Sequence, residues 1–149
     1  MKIAIGSDHA GLELKEYIKS ILAEENYEIQ DYGTNSPQSV DYPDYGFKVA
    51  QEVAAGKADR GILVCGTGMG MSVVANKVKG IRAALAFDTY TAVQSRKHLD
   101  ANVLVLGERV TGKGLAGEIV RAWLSADFEG GRHSGRIAKI EDFENNKNR

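Results

Sequence analysis

The chain has 149 residues, 43% hydrophobic and 26% charged, the size and composition of one globular domain with a sizeable core. Its formal net charge is −1 with both signs mixed along the chain, so it lacks the basic stripe of a nucleic-acid binder and must hold any anionic ligand locally. The single cysteine excludes an internal disulfide, and no run approaches the ~18 consecutive apolar residues of a membrane span.

The opening "MKIAIGSDHAG" breaks its apolar run too early for a secretory leader, so a soluble, cytoplasmic protein is expected. Within it "KIAIG" (2 to 6) reads as a strand buried on both faces. Leu14, Tyr17, Ile18, Ile21 and Leu22 recur at spacings of three and four, which predicts a helix from about 11 to 25. "YEIQDY" (27 to 32) is the second strand, and a Gly-, Asn-, Ser- and Pro-rich loop, "GTNSPQSVDYPD", follows it. Val49, Ala50, Val53 and Ala54 mark a helix ending near Gly56. "GILVC" (61 to 65) is the third strand, and a glycine-rich loop leads from it into a helix through Val73, Val74 and Ala75, broken at Gly80. "IRAALAF" (81 to 87) is the fourth strand, and Asp88 is placed to cap a helix from about 89 to 99. "NVLVLG" (102 to 107) is the fifth, followed by a helix through Ala116, Ile119, Val120, Trp123 and Leu124. Residues 127 to 149 form an extension to the single domain 1–149: glycines, a short helical pattern through Ile137 and Ile140, and a polar end expected to fray.

Strands alternating with helices predict an α/β fold, a parallel five-stranded sheet with right-handed crossovers and helices on both faces. In the doubly wound order 2-1-3-4-5, a crevice opens between the carboxyl ends of strands 1 and 3. The loops leaving those strands, "GSDHAG" and "CGTGMG", then bring Asp8, His9, Cys65 and Thr67 to one cavity. Glycines 66, 68 and 70 allow close backbone approach, and amides at a helix start attract an anion or a developing oxyanion. The same field favours the thiolate of Cys65, a base or nucleophile; the competing reading is a buried, inert cysteine. The spacing is neither the dinucleotide G-x-G-x-x-G nor a G-x-x-x-x-G-K-[ST] phosphate loop, which disfavours nucleotide binding. Without a second cysteine, thiol redox chemistry has no resolving partner.

Six ordered motifs, "GSDHAG", "DYPDY", "CGTGMGMSVVANK", "GIRAAL", "NVLVLGERV" and "EGGRHSGRI", resemble the ribose-5-phosphate isomerase B family, with its related allose- and galactose-phosphate isomerases, over residues 2 to about 140. The resemblance implies a Rossmann-like three-layer sandwich and an aldose-ketose isomerase that moves a proton through an enediolate without metal or cofactor. It implies Cys65 as the base, backbone around Gly66, Thr67, Gly68, Met69 and Gly70 as the enediolate cradle, and His98 as the acid that opens the sugar ring. Asp8 and Thr67 would assist near the ring oxygen and hydroxyls, while His9, Arg132 and Arg136 match phosphate contacts and Arg109 another ligand contact. It further implies a homodimer with shared active sites, or a tetramer, in which the partner contributes His98 and Arg109; the partner molecule is a sugar phosphate, with no nucleic acid and no membrane.

Each residue also has a plainer reading. Arg132 and Arg136 are four apart, as on a solvated helix face; His98 is placed as a capping cation; Asp8 and His9 are common helix-start residues. One position departs from the family: in "HLDAN", Leu99 stands where an asparagine commonly contacts the sugar. A six-carbon substrate such as allose 6-phosphate or galactose 6-phosphate, and a non-catalytic sugar-phosphate-binding module, are the alternatives to ribose 5-phosphate isomerisation.

Overall fold

In the computed structural model, which describes residues 1–146, the runs richest in aliphatic side chains take the centre of the sheet. These are Lys2–Ser7 (β1), Arg60–Cys65 (β3) and Val103–Gly107 (β5), flanked by Glu28–Asp31 (β2) on one side and Ala83–Leu85 (β4) on the other. All four pairings are parallel, with Ile5 opposite Ile62 and Cys65 opposite Gly107. The order is β2-β1-β3-β5-β4, so the expected doubly wound class holds while the last two strands exchange places. Burial gives the reason. β5 is buried at all five positions, whereas the three residues of β4 are half-buried, and a short alanine-rich strand loses less apolar burial at an edge. There the side chain of Asn76 takes the place of another strand: it accepts from the Ala83 amide (2.9 Å) and donates to the Ala83 carbonyl (3.0 Å).

The helices distribute as right-handed crossovers require. Steps from β1 to β2 and from β4 to β5 run one way across the sheet and place Leu12–Glu24 (α1) and Thr89–Leu99 (α4) on one face, where Lys113–Ser125 (α5) joins them. Steps from β2 to β3 and from β3 to β4 run the other way and place Tyr42–Ala54 (α2) and Met69–Ala75 (α3) on the opposite face. Two apolar cores result. Ile3, Ile5, Ile62, Val64, Leu104 and Leu106 meet α1 and α5 around the fully buried Trp123, while Ala4, Leu63, Val103 and Val105 meet α2 and α3. Because the chain leaves β1 and β3 toward opposite faces, a crevice forms between their carboxyl ends.

The caps behave as their residues dictate. Asp88 Oδ1 accepts from the Thr91 amide at 2.7 Å, and Gly56, with φ +70°, follows the end of α2 as expected; α3 instead stops at Ala75, short of Gly80, whose φ of +84° turns the chain into β4. The C-terminal helix, Arg132–Asn146 (α6), is longer than the short pattern around Ile137 and Ile140 implied, and it packs against α4. The end of the polar tail, residues 147–149, lies outside the described residues.

Candidate active site

The turn after β1 is pressed onto β3. Asp8 caps a short 3₁₀ turn, His9–Gly11, its Oδ1 accepting from the Gly11 amide at 3.1 Å. A Cβ at Gly11 would lie 2.6 Å from the carbonyl oxygen of Val64, so only glycine permits this approach. That contact sets Asp8 and His9 beside Cys65, the next residue of β3. The start of α1 is tied on by Glu108, whose Oε1 accepts from the Leu14 amide. His9 Nδ1 accepts from the Val40 amide at 3.1 Å; a backbone N–H can only donate, so the ring proton sits on Nε2. The loop after β2 therefore orients His9, and it is itself held to β1 through mutual backbone bonds between Ser7 and Gly33–Thr34.

The glycine loop after β3 is clamped from the other side by the exit of β5. Glu108 donates its amide to the Cys65 carbonyl (2.9 Å) and Arg109 to that of Gly66 (3.0 Å), and a Cβ at Gly107 would lie 2.5 Å from the Thr67 oxygen. Gly68 has φ +83°, the left-handed conformation that turns the chain into α3. Thr67 Oγ1 accepts from the Met69 amide at 3.3 Å, while the next first-turn amides, Gly70 and Met71, have no acceptor within the helix. Of these, Gly70 borders an open cleft of about 290 Å³. Asp8 and His9 enter it from β1, Cys65, Gly66, Thr67 and Gly70 from β3, and Arg109 from β5. Cys65 is 5% exposed, packed with the apolar core on its inner side and yet part of the cleft wall.

Tyr42 is a cleft residue that sequence reasoning missed. Its ring lies 2.7 Å from where a Gly70 Cβ would be, so the glycine admits the aromatic wall. The signal was present in "DYPDY": a proline at the start of α2 fixes the first turn and with it the place of Tyr42.

His98, Arg132 and Arg136 do not join this cleft. An α-helix rises 1.5 Å per residue, so from Thr89 to His98 α4 carries the chain about 14 Å back toward the amino ends of the strands. There the His98 ring stacks on that of His133, centroids 4.1 Å apart and planes 13° from parallel. His133 is buried, between the exposed Arg132 and Arg136 on α6. Burial, with His98 and the two arginines adding to it, lowers the His133 pKa from its ordinary value. A second cavity, of about 410 Å³, runs beside His98 and is walled by Leu85, Gln94 and Leu99. One chain thus holds two constellations at opposite edges of its sheet. Arg109, expected from a partner, lines its own chain's cleft because β5 lies beside β3.

The sequence profile of the family described as Ribose/Galactose Isomerase matches residues 3–140. The chain belongs to this family. The ribose-5-phosphate isomerase B of Escherichia coli (strain K12) is a relative, 50% identical over 147 residues that cover 99% of both chains. Among solved members of the Ribose/Galactose Isomerase family, the ribose-5-phosphate isomerase B of Clostridium thermocellum superposes with a TM-score of 0.97 at 54% identity, covering 99% of each chain. That of Mycoplasma genitalium, solved with bound ribulose-5-phosphate, gives 0.93 at 44% identity, covering 97% of this chain and 96% of its own.

Proposed function

We propose that the protein interconverts ribose 5-phosphate and ribulose 5-phosphate. The observation that carries this reading is the meeting, in one cleft, of Cys65, unpaired amides at the start of α3 and the Asp8–His9 turn. Isomerisation of an open-chain aldose requires a base to take the C2 proton and a site to stabilise negative charge on the carbonyl oxygen. The Cys65 thiolate takes that proton, the charge spreads over an enediolate held by the backbone from Gly66 to Gly70, with Met69 contributing its backbone rather than its exposed side chain, and the proton returns to C1. A hydroxyl proton moves from O2 to O1, so the ketose forms with no external oxidant, reductant or cofactor. Asp8 and Thr67 face the sugar hydroxyls, and His9 Nε2–H and Arg109 supply donors for the anionic end.

The remaining residues act from a second copy. A two-fold interface pairs unlike regions of two identical surfaces, so it can lay the His98, Arg132 and Arg136 edge of one subunit over the Cys65 cleft of the other. His98 then opens the furanose, and the arginine pair holds the phosphate. No helix among the described residues is long and apolar enough to cross a membrane, in keeping with a small-molecule enzyme working in the cytoplasm.

The test is turnover of ribose 5-phosphate by the purified protein and its Cys65→Ala variant. Loss of a general base lowers kcat by about 10² to 10⁴; an undiminished variant would remove Cys65 from the mechanism. Mixing Cys65→Ala with His98→Ala chains should restore about a quarter of wild-type activity, because half the dimers are mixed and each has one intact site. No recovery would place both residues in one chain's site. Leu99, 46% exposed beside His98, favours comparing allose 6-phosphate and galactose 6-phosphate in the same assay. A higher kcat/KM on either would reassign the substrate, and thermal stabilisation by sugar phosphate without turnover would leave only a binding module.

A further inference from the structure

The stacked pair at the amino edge of the sheet contains a group the mechanism above does not use. His133 is 4% exposed, its Nε2 is buried without a hydrogen-bond partner, and the nearest acid, Glu129, stands 3.8 Å away. An imidazole so placed is poorly suited to carry charge and well suited to serve as a rigid surface. Its partner, the half-buried His98, opens onto the second cavity.

We propose that His133 is a positioning residue for His98: a buried imidazole whose face fixes the plane of the His98 ring. The inference rests on the isomerase reading for its kinetic consequence and on geometry alone for the pairing. Two cationic rings 4.1 Å apart repel, so the stacked pair disfavours charge on both rings at once. The charges facing His133 favour the same outcome. Arg132 and Arg136 on α6 and His98 on α4 are basic, and the carboxylate of Glu129 is shared with Lys97 at 3.7 Å, its amide donating to the Lys97 carbonyl. Although ligand atoms of His98, Glu129 and His133 lie within 4.8 Å of one another, parallel rings aim their in-plane lone pairs side by side and not at a common point. The arrangement suits holding a proton better than holding a metal.

The experiment compares His133→Phe, which keeps a ring, with His133→Ala, which removes it, and follows the chain's three histidines by imidazole NMR in the free protein. The expected result is a kcat about tenfold lower for His133→Ala with KM within about twofold, and recovery of most of that loss in His133→Phe. By NMR, His133 should titrate below the ordinary histidine range, and at a higher pH in His98→Asn, because a neighbouring positive charge has been removed. Equal losses in both variants with a raised KM would make His133 a substrate ligand and overturn the proposal. So would a His133 titration that His98→Asn does not move. Absence of turnover in the wild type would sink the isomerase reading instead, and the NMR comparison would still decide the pairing.

Discussion

Replacing Gly11 by alanine tests whether the contact between the β1 turn and β3 builds the cleft. Gly11 has φ −106°, open to any residue, so the cost is steric and not conformational. The new Cβ would sit 2.6 Å from the Val64 oxygen and 2.7 Å from its carbon, whereas ordinary contact begins at 3.4 Å, so the turn must retreat by about 0.8 Å. Backbone atoms of a central strand cannot yield as a side-chain tip would. Overpacking of this kind costs about 1 to 3 kcal/mol, which for a chain of this length lowers Tm by roughly 2 to 10 °C. The same retreat carries Asp8 and His9 away from Cys65, and a displacement near 1 Å costs up to about 10²-fold in rate. Thermal melts and ribose 5-phosphate kinetics should therefore both decline. Unchanged Tm and kcat/KM in Gly11→Ala would refute the idea that this contact registers the two loops.

Gly114→Ala is the matched control: nothing lies within 4 Å of its added Cβ in the first turn of α5, so melting should show a gain of up to about 1 kcal/mol and assays no change in activity. Asp88→Ala removes the acceptor of the Thr91 amide and should cost about 1 kcal/mol, read by denaturant titration. Burial pushes the Asp31 pKa up, but hydrogen bonds from Lys15 and Lys19 outweigh it and hold the carboxyl below its ordinary 3.8. A depressed folded-state pKa stabilises fully above the unfolded value and fades as pH drops through the folded one. Asp31→Asn should therefore be less stable at neutral pH and flatten the loss of Tm below about pH 4; an acid limb parallel to wild type would show that Asp31 is not its source.

Much of the fold was legible because its information is local. Apolar runs and periodicity located the five strands and the α-helices, though not the 3₁₀ turn at His9–Gly11, and Asp88 and Gly56 marked ends through capping and left-handed φ; Gly80 did not, because α3 stops at Ala75. Lateral order was not local: whether β4 or β5 sits beside β3 depends on which buries more, a competition between "AAL" and "VLVLG" that neither periodicity nor spacing expresses. The first half of the candidate site followed from chain topology, since strands 1 and 3 had to leave toward opposite faces. The second half lay beyond it. That His98 ends at the amino edge depends on α4 running back along the sheet, and that Arg109 stays in its own chain's cleft depends on β5 lying next to β3. Tyr42 was missed although the proline of "DYPDY" marks its place at the start of α2, because only the fold sets its ring over Gly70.

Asn76 has a consequence for how the molecule behaves in a crowd. Its carboxamide answers, donor for acceptor and acceptor for donor, the two outward-facing backbone groups of Ala83. An extended stranger drifting against that border finds those two docking points already taken. Trimming the residue to alanine would leave catalysis alone and uncover a sticky hem, to be seen by light scattering as slow, concentration-driven clumping.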